Sequence, residues 1–446
     1  MNPPLDPSQA RPRVLIVGGG FAGLACARAL RRARAEVVLV DRQNHHVFQP
    51  LLYQVATAAL SPANIAAPVR GVLSRQRNCM VAMGEAERID ADACEAVING
   101  RRVRYDYLVL AAGMRNGYFG HPEWEAHAPG LKSLNDALEI RRRILTRFEA
   151  AEFEDDDAAR RAELTFVVIG GGPTGVEMAG AIQEIAALSI PRDFRRVDMR
   201  SARVVLIDSN ERVLRGFHED LSARAQRDLE RMGVEVILGC RVVGLSDREV
   251  VLRRKADGEC QTIASRCAIW AAGLKAESIG ASLGAEADRA GRVIVEPDLS
   301  VPGHPNVFVV GDQMSDRDPE TGEATPGVAQ GAIQSGDFVG GLIAAELQGK
   351  AQSDRGAFRY HDKGSMATIG RARAVAEIGG MRVAGFPAWL LWSVVHILFL
   401  VGFRNKLAAI SEWVWMYVSW SRGARLITGT PPRPPPPSEA EADRVY

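Results

Sequence analysis

The amino-acid sequence predicts an α/β chain of two Rossmann-like dinucleotide-binding domains followed by a C-terminal helical region that anchors it to a membrane. Three observations predict this. A strand, glycine loop, helix and strand open the chain at Arg13–Asp41, a second copy of that unit starts at Leu164, and five of the seven tryptophans crowd into the C-terminal part. The 446 residues suffice for two or three domains with their own cores. With 55 basic against 54 acidic residues, nothing in the charge balance asks for nucleic acid.

Residues 1–12 are polar and proline-rich with no apolar signal segment, so a cytosolic start is expected. Strand Val14–Val17 then enters the loop Gly18-Gly19-Gly20-Phe21-Ala22-Gly23, which feeds helix Leu24–Arg34. Gly18 allows the tight turn, Gly20 admits a pyrophosphate close to the backbone, and Gly23 lets the helix pack near the sheet. The phosphates would lie on the helix N-terminus, where free N–H groups favour negative charge. Asp41, at the end of strand Glu36–Asp41, can accept from a ribose hydroxyl.

Segment 44–70 reads as a loop and helix packed beside that ligand; its His45-His46 pair has no carboxylate or cysteine at metal-ligand spacing. Residues 81–110 read as short strands with an Asn99-Gly100 hairpin turn. Strand Tyr107–Leu110 follows, and the small residues Ala111-Ala112-Gly113 let the chain pass close to a flat ligand.

The internal repeat comes next. Strand Leu164–Ile169, loop Gly170-Gly171-Gly172-Pro173-Thr174-Gly175, helix Val176–Leu188 and strand Arg203–Ile207 end at Asp208, with a polar surface insertion at 191–201. Asp208 favours the ribose hydroxyls of NADH over the 2′-phosphate of NADPH, an inference softened by nearby Arg212. Two cradles imply two nucleotides, and the useful pairing is a flavin with a nicotinamide. Asn306–Asp312, a strand running into Gly311-Asp312, suits ribityl hydroxyls, and Trp270-Ala271-Ala272-Gly273 echoes the earlier small-residue crossing.

The six cysteines form no C-x-x-C and no metal spacing, so they read as reduced structural thiols and no metal is expected. The acid-rich stretch 316–323 lacks an EF-hand pattern and reads as an exposed turn without calcium dependence. Beyond Gly385 come Trp389, Trp392, Trp413, Trp415 and Trp420, a clustering that favours lipid contact. Pro387–Phe403 is 17 residues with only Ser393 and His396 polar, and Arg404, Asn405 and Lys406 follow. Composition leaves a spanning helix, an interfacial helix and a dimer contact all open. The tail from Thr430 is proline-rich and polar, hence expected to be disordered.

Four further segments stand out: Phe48-Gln49-Pro50-Leu51-Leu52-Tyr53-Gln54, Gly172-Pro173-Thr174-Gly175-Val176-Glu177, Ala329-Gln330-Gly331-Ala332-Ile333-Gln334 and the run from Asp362-Lys363-Gly364 to Arg371. In these the sequence resembles the type II NADH:quinone oxidoreductases, single-subunit, non-proton-pumping members of the two-dinucleotide-binding-domain, glutathione-reductase-like flavoproteins. The resemblance implies an FAD domain at 1–122 and 272–350, an NADH domain at 123–271, a membrane-anchoring region at 351–429 and the tail at 430–446. It implies FAD on Gly18, Gly20, Phe21, Ala22, Gly23, Asp41, Arg42, Ala112, Gly113, Gly311, Asp312, Ala329 and Gln330. NADH would lie on Gly170, Gly172, Pro173, Thr174, Gly175, Glu177, Asp208, Ala272 and Gly273. Gln330 and Gln334 become contacts to a lipid quinone, and Glu177 with Lys363 a proton route, since quinol formation needs two protons. It further implies monotopic attachment to the membrane surface on the cytoplasmic face of the inner (plasma) membrane, and a homodimer.

Each candidate also has a structural reading. Glu177 suits the first turn of a helix through the dipole alone, Gln330 and Gln334 at i,i+4 fit a solvated helix face, and Lys363 fits a surface lysine. The rival functions are a redox sensor that binds FAD and NADH without quinone turnover, resembling apoptosis-inducing factor, and a sulfide- or disulfide-linked reductase, which needs a cysteine pair absent from this sequence.

Overall fold

A computed structural model describes residues 11–419 and 422–428, so Trp420 and the tail from Thr430 lie outside the described residues. Two sheets carry the two cradles. In the first, six strands run in the order Ser300–Val301, His304–Val309, Tyr107–Leu110, Arg13–Val17, Glu36–Asp41 and Cys79–Met83. All its neighbours are parallel except the first pair. The second has four parallel strands in the order Val234–Ile237, Arg203–Ile207, Thr165–Ile169 and Cys267–Trp270. A parallel strand is covered on both faces, which is why Val14-Leu15-Ile16 and Phe166-Val167-Val168 are continuous apolar runs and fully buried.

The two sheets repeat one local geometry. The glycine-loop strand lies between the strand that ends in the acid and the strand that ends in small residues, with Val17 opposite Val40 and Leu110, and Ile169 opposite Ile207 and Trp270. The two crossings between the sheets meet as an antiparallel pair, Met114–Asn116 against Leu274–Ala276. The Asn99-Gly100 hairpin turn joins Glu95–Ile98 to Arg101–Arg104 as expected, both turn residues having positive φ.

The expected loop at His45-His46 is instead a strand, His45–Val47, paired with Ala66–Pro68. Beyond it Phe48, Leu51, Tyr53 and Val55 join one apolar cluster with Ile144, Val176 and Ile182 beneath the second cradle, and Trp392 and Ala409 of the C-terminal helices belong to the same cluster. The C-terminal region begins as an antiparallel sheet, Ser365–Gly370, Arg373–Ile378 and Met381–Ala384. It presses on the second cradle helix so closely that a Cβ on Gly180 would stand 1.8 Å from Ile369 O.

The apolar run expected at Pro387–Phe403 is the helix Phe386–Phe399, which ends short of Phe403, and the second tryptophan-rich helix expected after it is Phe403–Ser419. Gly402, at φ 90°, turns the chain between them, and Lys406 Nζ caps Leu398 O at 2.7 Å. Among the described residues no helix is long and apolar enough to cross a membrane. Both helices nevertheless expose an apolar stripe: Phe386, Leu390, Val394 and Leu398 on the first, Phe403, Leu407, Ile410, Val414 and Val418 on the second. The spacing of three or four puts each set on one face. Val394→Glu combined with Leu398→Glu, at positions 49% and 65% exposed, is therefore expected to leave the fold intact. Vesicle co-sedimentation should show binding lowered roughly 100-fold, about 1.5 kcal/mol for each side chain withdrawn from lipid.

Candidate functional site

The first cradle is built as its spacing predicts. Gly18 has φ 111°, and a Cβ there would meet Ala111 O at 2.2 Å; at Gly23 it would stand 1.8 Å from Gly18 O. The turn thus closes only without side chains. At Gly20 a Cβ would meet nothing within 4 Å, so the space above the loop is open at the start of helix Phe21–Ala29. Asp41 accepts from Gly19 N at 2.6 Å and from Gln43 N at 2.7 Å, which fixes its carboxylate beside the loop. Arg42 turns to Glu277 at 2.7 Å and so ties this acid strand to the returning crossing.

Helix Ala329–Glu346 packs across the first cradle helix, and two glycines set the approach. A Cβ on Gly336 would lie 2.2 Å from Ala22 O, and one on Gly340 2.7 Å from Ala29 Cβ. Gly311, at φ 69°, donates its N–H to Ser335 Oγ at 3.0 Å on that helix, and Asp312 stands 3.8 Å from Lys132 Nζ. Ala329 begins the helix. Gln330 and Gln334 are both partly buried, so the solvated-face reading fails. Gln330 Oε1 is buried with no donor among the described residues, a vacancy that a ligand N–H would fill. Gln334 is already engaged: its Nε2 donates to His361 O and its Oε1 accepts from His361 N, both at 3.0 Å. It thereby holds the loop that carries Lys363, which is exposed and whose charge acts on Asp337.

The second cradle repeats the first. A Cβ on Gly170 would meet Ala271 O at 2.6 Å and Ala272 N at 2.9 Å, one on Gly175 would meet Gly170 O at 1.7 Å, and Gly172 faces open space. Pro173 and Thr174 form the first turn of helix Pro173–Glu184. Asp208 accepts from Gly171 N and, at 2.6 Å, from Asn210 N. Arg212 is drawn away to Arg215 O and Glu219. Ala112-Gly113 and Ala272-Gly273 end the two crossings; against Gly273 leans the ring of Phe119, 72% exposed and left-handed at φ 50°.

Glu177 is the most perturbed acid of the site. Burial pushes its carboxyl well above the usual range, and a main-chain hydrogen bond from Thr368 only partly offsets that. It lines a cavity of about 110 Å³ between the second cradle helix and the two C-terminal helices. Tyr53, Gln54, Trp392 and Trp413 contribute the aromatic and amide walls. Glu184, about two turns further along the helix, accepts from Arg371 N at 2.5 Å and from Arg422 at 3.0 Å, closing that side.

Residues 12–336 match the model for the pyridine nucleotide-disulphide oxidoreductases, and residues 362–419 match that for the NDH2 C-terminal domain. The chain is 45% identical over 439 residues to the type II NADH:quinone oxidoreductase Ndh of Mycobacterium tuberculosis, covering 96% of this chain and 93% of that one. It belongs to the type II NADH:quinone oxidoreductases. NdhA of the same organism is also 45% identical, over 94% of this chain and 90% of its own. The solved structure of NDH2 from Plasmodium falciparum in complex with NADH superposes with a TM-score of 0.85 at 17% identity, covering 94% of this chain and all of that one.

Three features of this type II oxidoreductase escaped sequence reading. Gly336 and Gly340 carried a visible signal, small residues four apart on one helix face. Tyr53 and Gln54 stood in a segment of the resemblance and Trp392 and Trp413 in the tryptophan cluster, but nothing signalled that they meet, because residues more than three hundred positions apart come together only in the fold. His46, read as bland, is buried against Gly19 O at 3.3 Å and edge-on to Phe21 at 4.9 Å; burial lowers its imidazole to about 4, so it is a neutral prop of the glycine loop. Asp316 corrects another expectation. It is buried, not exposed, and accepts from Thr325 Oγ1 at 2.6 Å. The six cysteines are all free, and burial holds the Cys26 and Cys267 thiols above their ordinary value, so neither offers a thiolate.

Proposed function

We propose that this chain oxidises NADH at the second cradle and reduces a lipid quinone in the aromatic cavity at Glu177, with FAD in the first cradle between them. The first cradle fits that group: it is open above Gly20, offers Asp41 to a ribose, and leaves Gln330 Oε1 wanting an N–H donor. Bound there, FAD supplies the exchange between a hydride donor and an acceptor of electrons. Every other task falls to side chains. Gly172 and the helix it opens receive the pyrophosphate of NADH, and Asp208 receives a ribose hydroxyl. Gln334 and Lys363 shape the loop over the helix that bears Gln330. Glu177, whose carboxyl burial pushes well above the usual range, would hold a proton where a quinone gaining electrons needs one.

The observation that carries this reading is the placement of Glu177: its carboxyl lines an aromatic cavity whose far wall belongs to helices with exposed apolar stripes. A quinone confined to the bilayer has a short apolar way in. Attachment is proposed to be monotopic and on the cytoplasmic face, which suits six unpaired cysteines, and the homodimer implied by the resemblance is testable on the same preparation by sedimentation. The test is anaerobic. NADH should bleach the bound flavin, and a short-chain ubiquinone or menaquinone should restore its colour within the turnover time. A flavin that bleaches and stays reduced would refute quinone reduction.

A further inference from the structure

We propose that the indole N–H of Trp392 and the hydroxyl of Tyr53 are the two donors that hold a carbonyl oxygen of the quinone headgroup. The inference rests on the assignment of the cavity at Glu177 to quinone. Both side chains line that cavity, with ring centres 6.5 Å apart. Trp392 is 2% exposed, and its Nε1 is buried with no acceptor among the described residues. An indole N–H only donates, so a ligand that relieves it must bring an acceptor.

Among the described residues Tyr53 is the second unmatched donor, and the direction of its hydrogen bonds follows from chemistry. Trp413 Nε1 stands 2.7 Å from Gln54 Oε1, and Gln54 Nε2 stands 2.9 Å from Tyr53 Oη. Because Trp413 can only donate, Gln54 must offer its carbonyl to the indole and its N–H₂ to the phenol. The phenol oxygen is then the acceptor in that pair, and its own proton is free to be given elsewhere. Burial raises the Tyr53 phenol well above its ordinary value, so the proton stays on.

A ligand suited to these walls is flat, apolar and rich in acceptors, and a quinone carbonyl is all three. The two donors position and polarise that oxygen as negative charge grows on it, while neither loses its proton. They are positioning residues. Both depend on the membrane helices: Trp392 belongs to the first, and Tyr53 is oriented through Gln54 by Trp413 of the second.

Tyr53→Phe and Trp392→Phe each delete one donor and keep a ring in place. Each is expected to raise the quinone KM about five- to tenfold, the effect of one neutral hydrogen bond. The same factor should appear in the Kd of a short-chain ubiquinone measured by fluorescence quenching on Tyr53→Phe. Flavin content, NADH KM and the rate with ferricyanide, which takes electrons without a carbonyl, should not move; a merely structural role would move them too. Unchanged quinone KM in both variants, with a wild type that reduces quinone, overturns the donor pair and leaves the quinone assignment standing. A wild type that reduces ferricyanide but no quinone overturns the assignment itself.

Discussion

Glu177→Gln is expected to slow quinol formation by ~10²-fold at neutral pH, the usual worth of a positioned general acid, while flavin bleaching by NADH continues at the wild-type rate. Stopped-flow measurement of the two half-reactions separates these outcomes. The pH profile carries the sign. Burial raises the carboxyl of Glu177 far above 4.5, so the wild type keeps its proton into a range where an exposed glutamate would have lost it, and its quinone rate falls as pH rises through the raised value. In Glu177→Gln that descending limb should disappear. Wild-type stability should fall over the same range. The group's folded pKa is raised, so its contribution to stability is full below the ordinary carboxylate range and is lost as pH rises through the folded value. Glutamine has no such loss, so the variant should melt higher than the wild type at alkaline pH and equal to it in acid. A variant that keeps both the rate and its descending limb would show that Glu177 serves only the helix N-terminus.

Gly20→Ala and Gly23→Ala should both abolish activity but for different reasons. At Gly23 the new methyl would stand 1.8 Å from Gly18 O, so the loop and helix must part. Overpacking of that kind costs about 1–3 kcal/mol or more, and the expected product is a colourless protein with a lowered melting temperature. At Gly20 the methyl meets nothing within 4 Å in the protein itself. The Gly20→Ala chain should therefore fold normally and lose FAD affinity alone, because the methyl occupies the path of a pyrophosphate. The same contrast transfers to the second cradle. Gly172→Ala should retain FAD and its colour but fail to be bleached by NADH, whereas Gly175→Ala, with a methyl 1.7 Å from Gly170 O, should be unstable. Flavin absorbance together with a melting curve distinguishes all four. Equal melting temperatures for Gly20→Ala and Gly23→Ala would contradict the packing account.

The cradles were legible because their requirements are local. A strand buried on both faces must be apolar, the turn after Val17 or Ile169 must lack side chains, and the acids Asp41 and Asp208 must close the next strand. The C-terminal helices were legible as apolar and tryptophan-rich, but not their lengths, because Gly402 ends one helix through backbone geometry that composition does not report. His45–Val47 was misread for a similar reason: its pairing partner, Ala66–Pro68, lies beyond two short helices.

The amino-acid sequence by itself determined the two nucleotide cradles, the order of the domains and the membrane-seeking character of the C-terminal region, since each depends on residues within one or two turns or one strand of each other. Tertiary structure alone decided what surrounds Glu177. Tyr53, Thr368, Trp392 and Trp413 come from four separate stretches of chain, and only their convergence encloses the carboxyl, leaves Trp392 without an acceptor among the described residues and turns Gln54 toward Tyr53. Burial, hydrogen-bond direction and proton affinity are properties of that assembled surrounding, and no one of those stretches carries them.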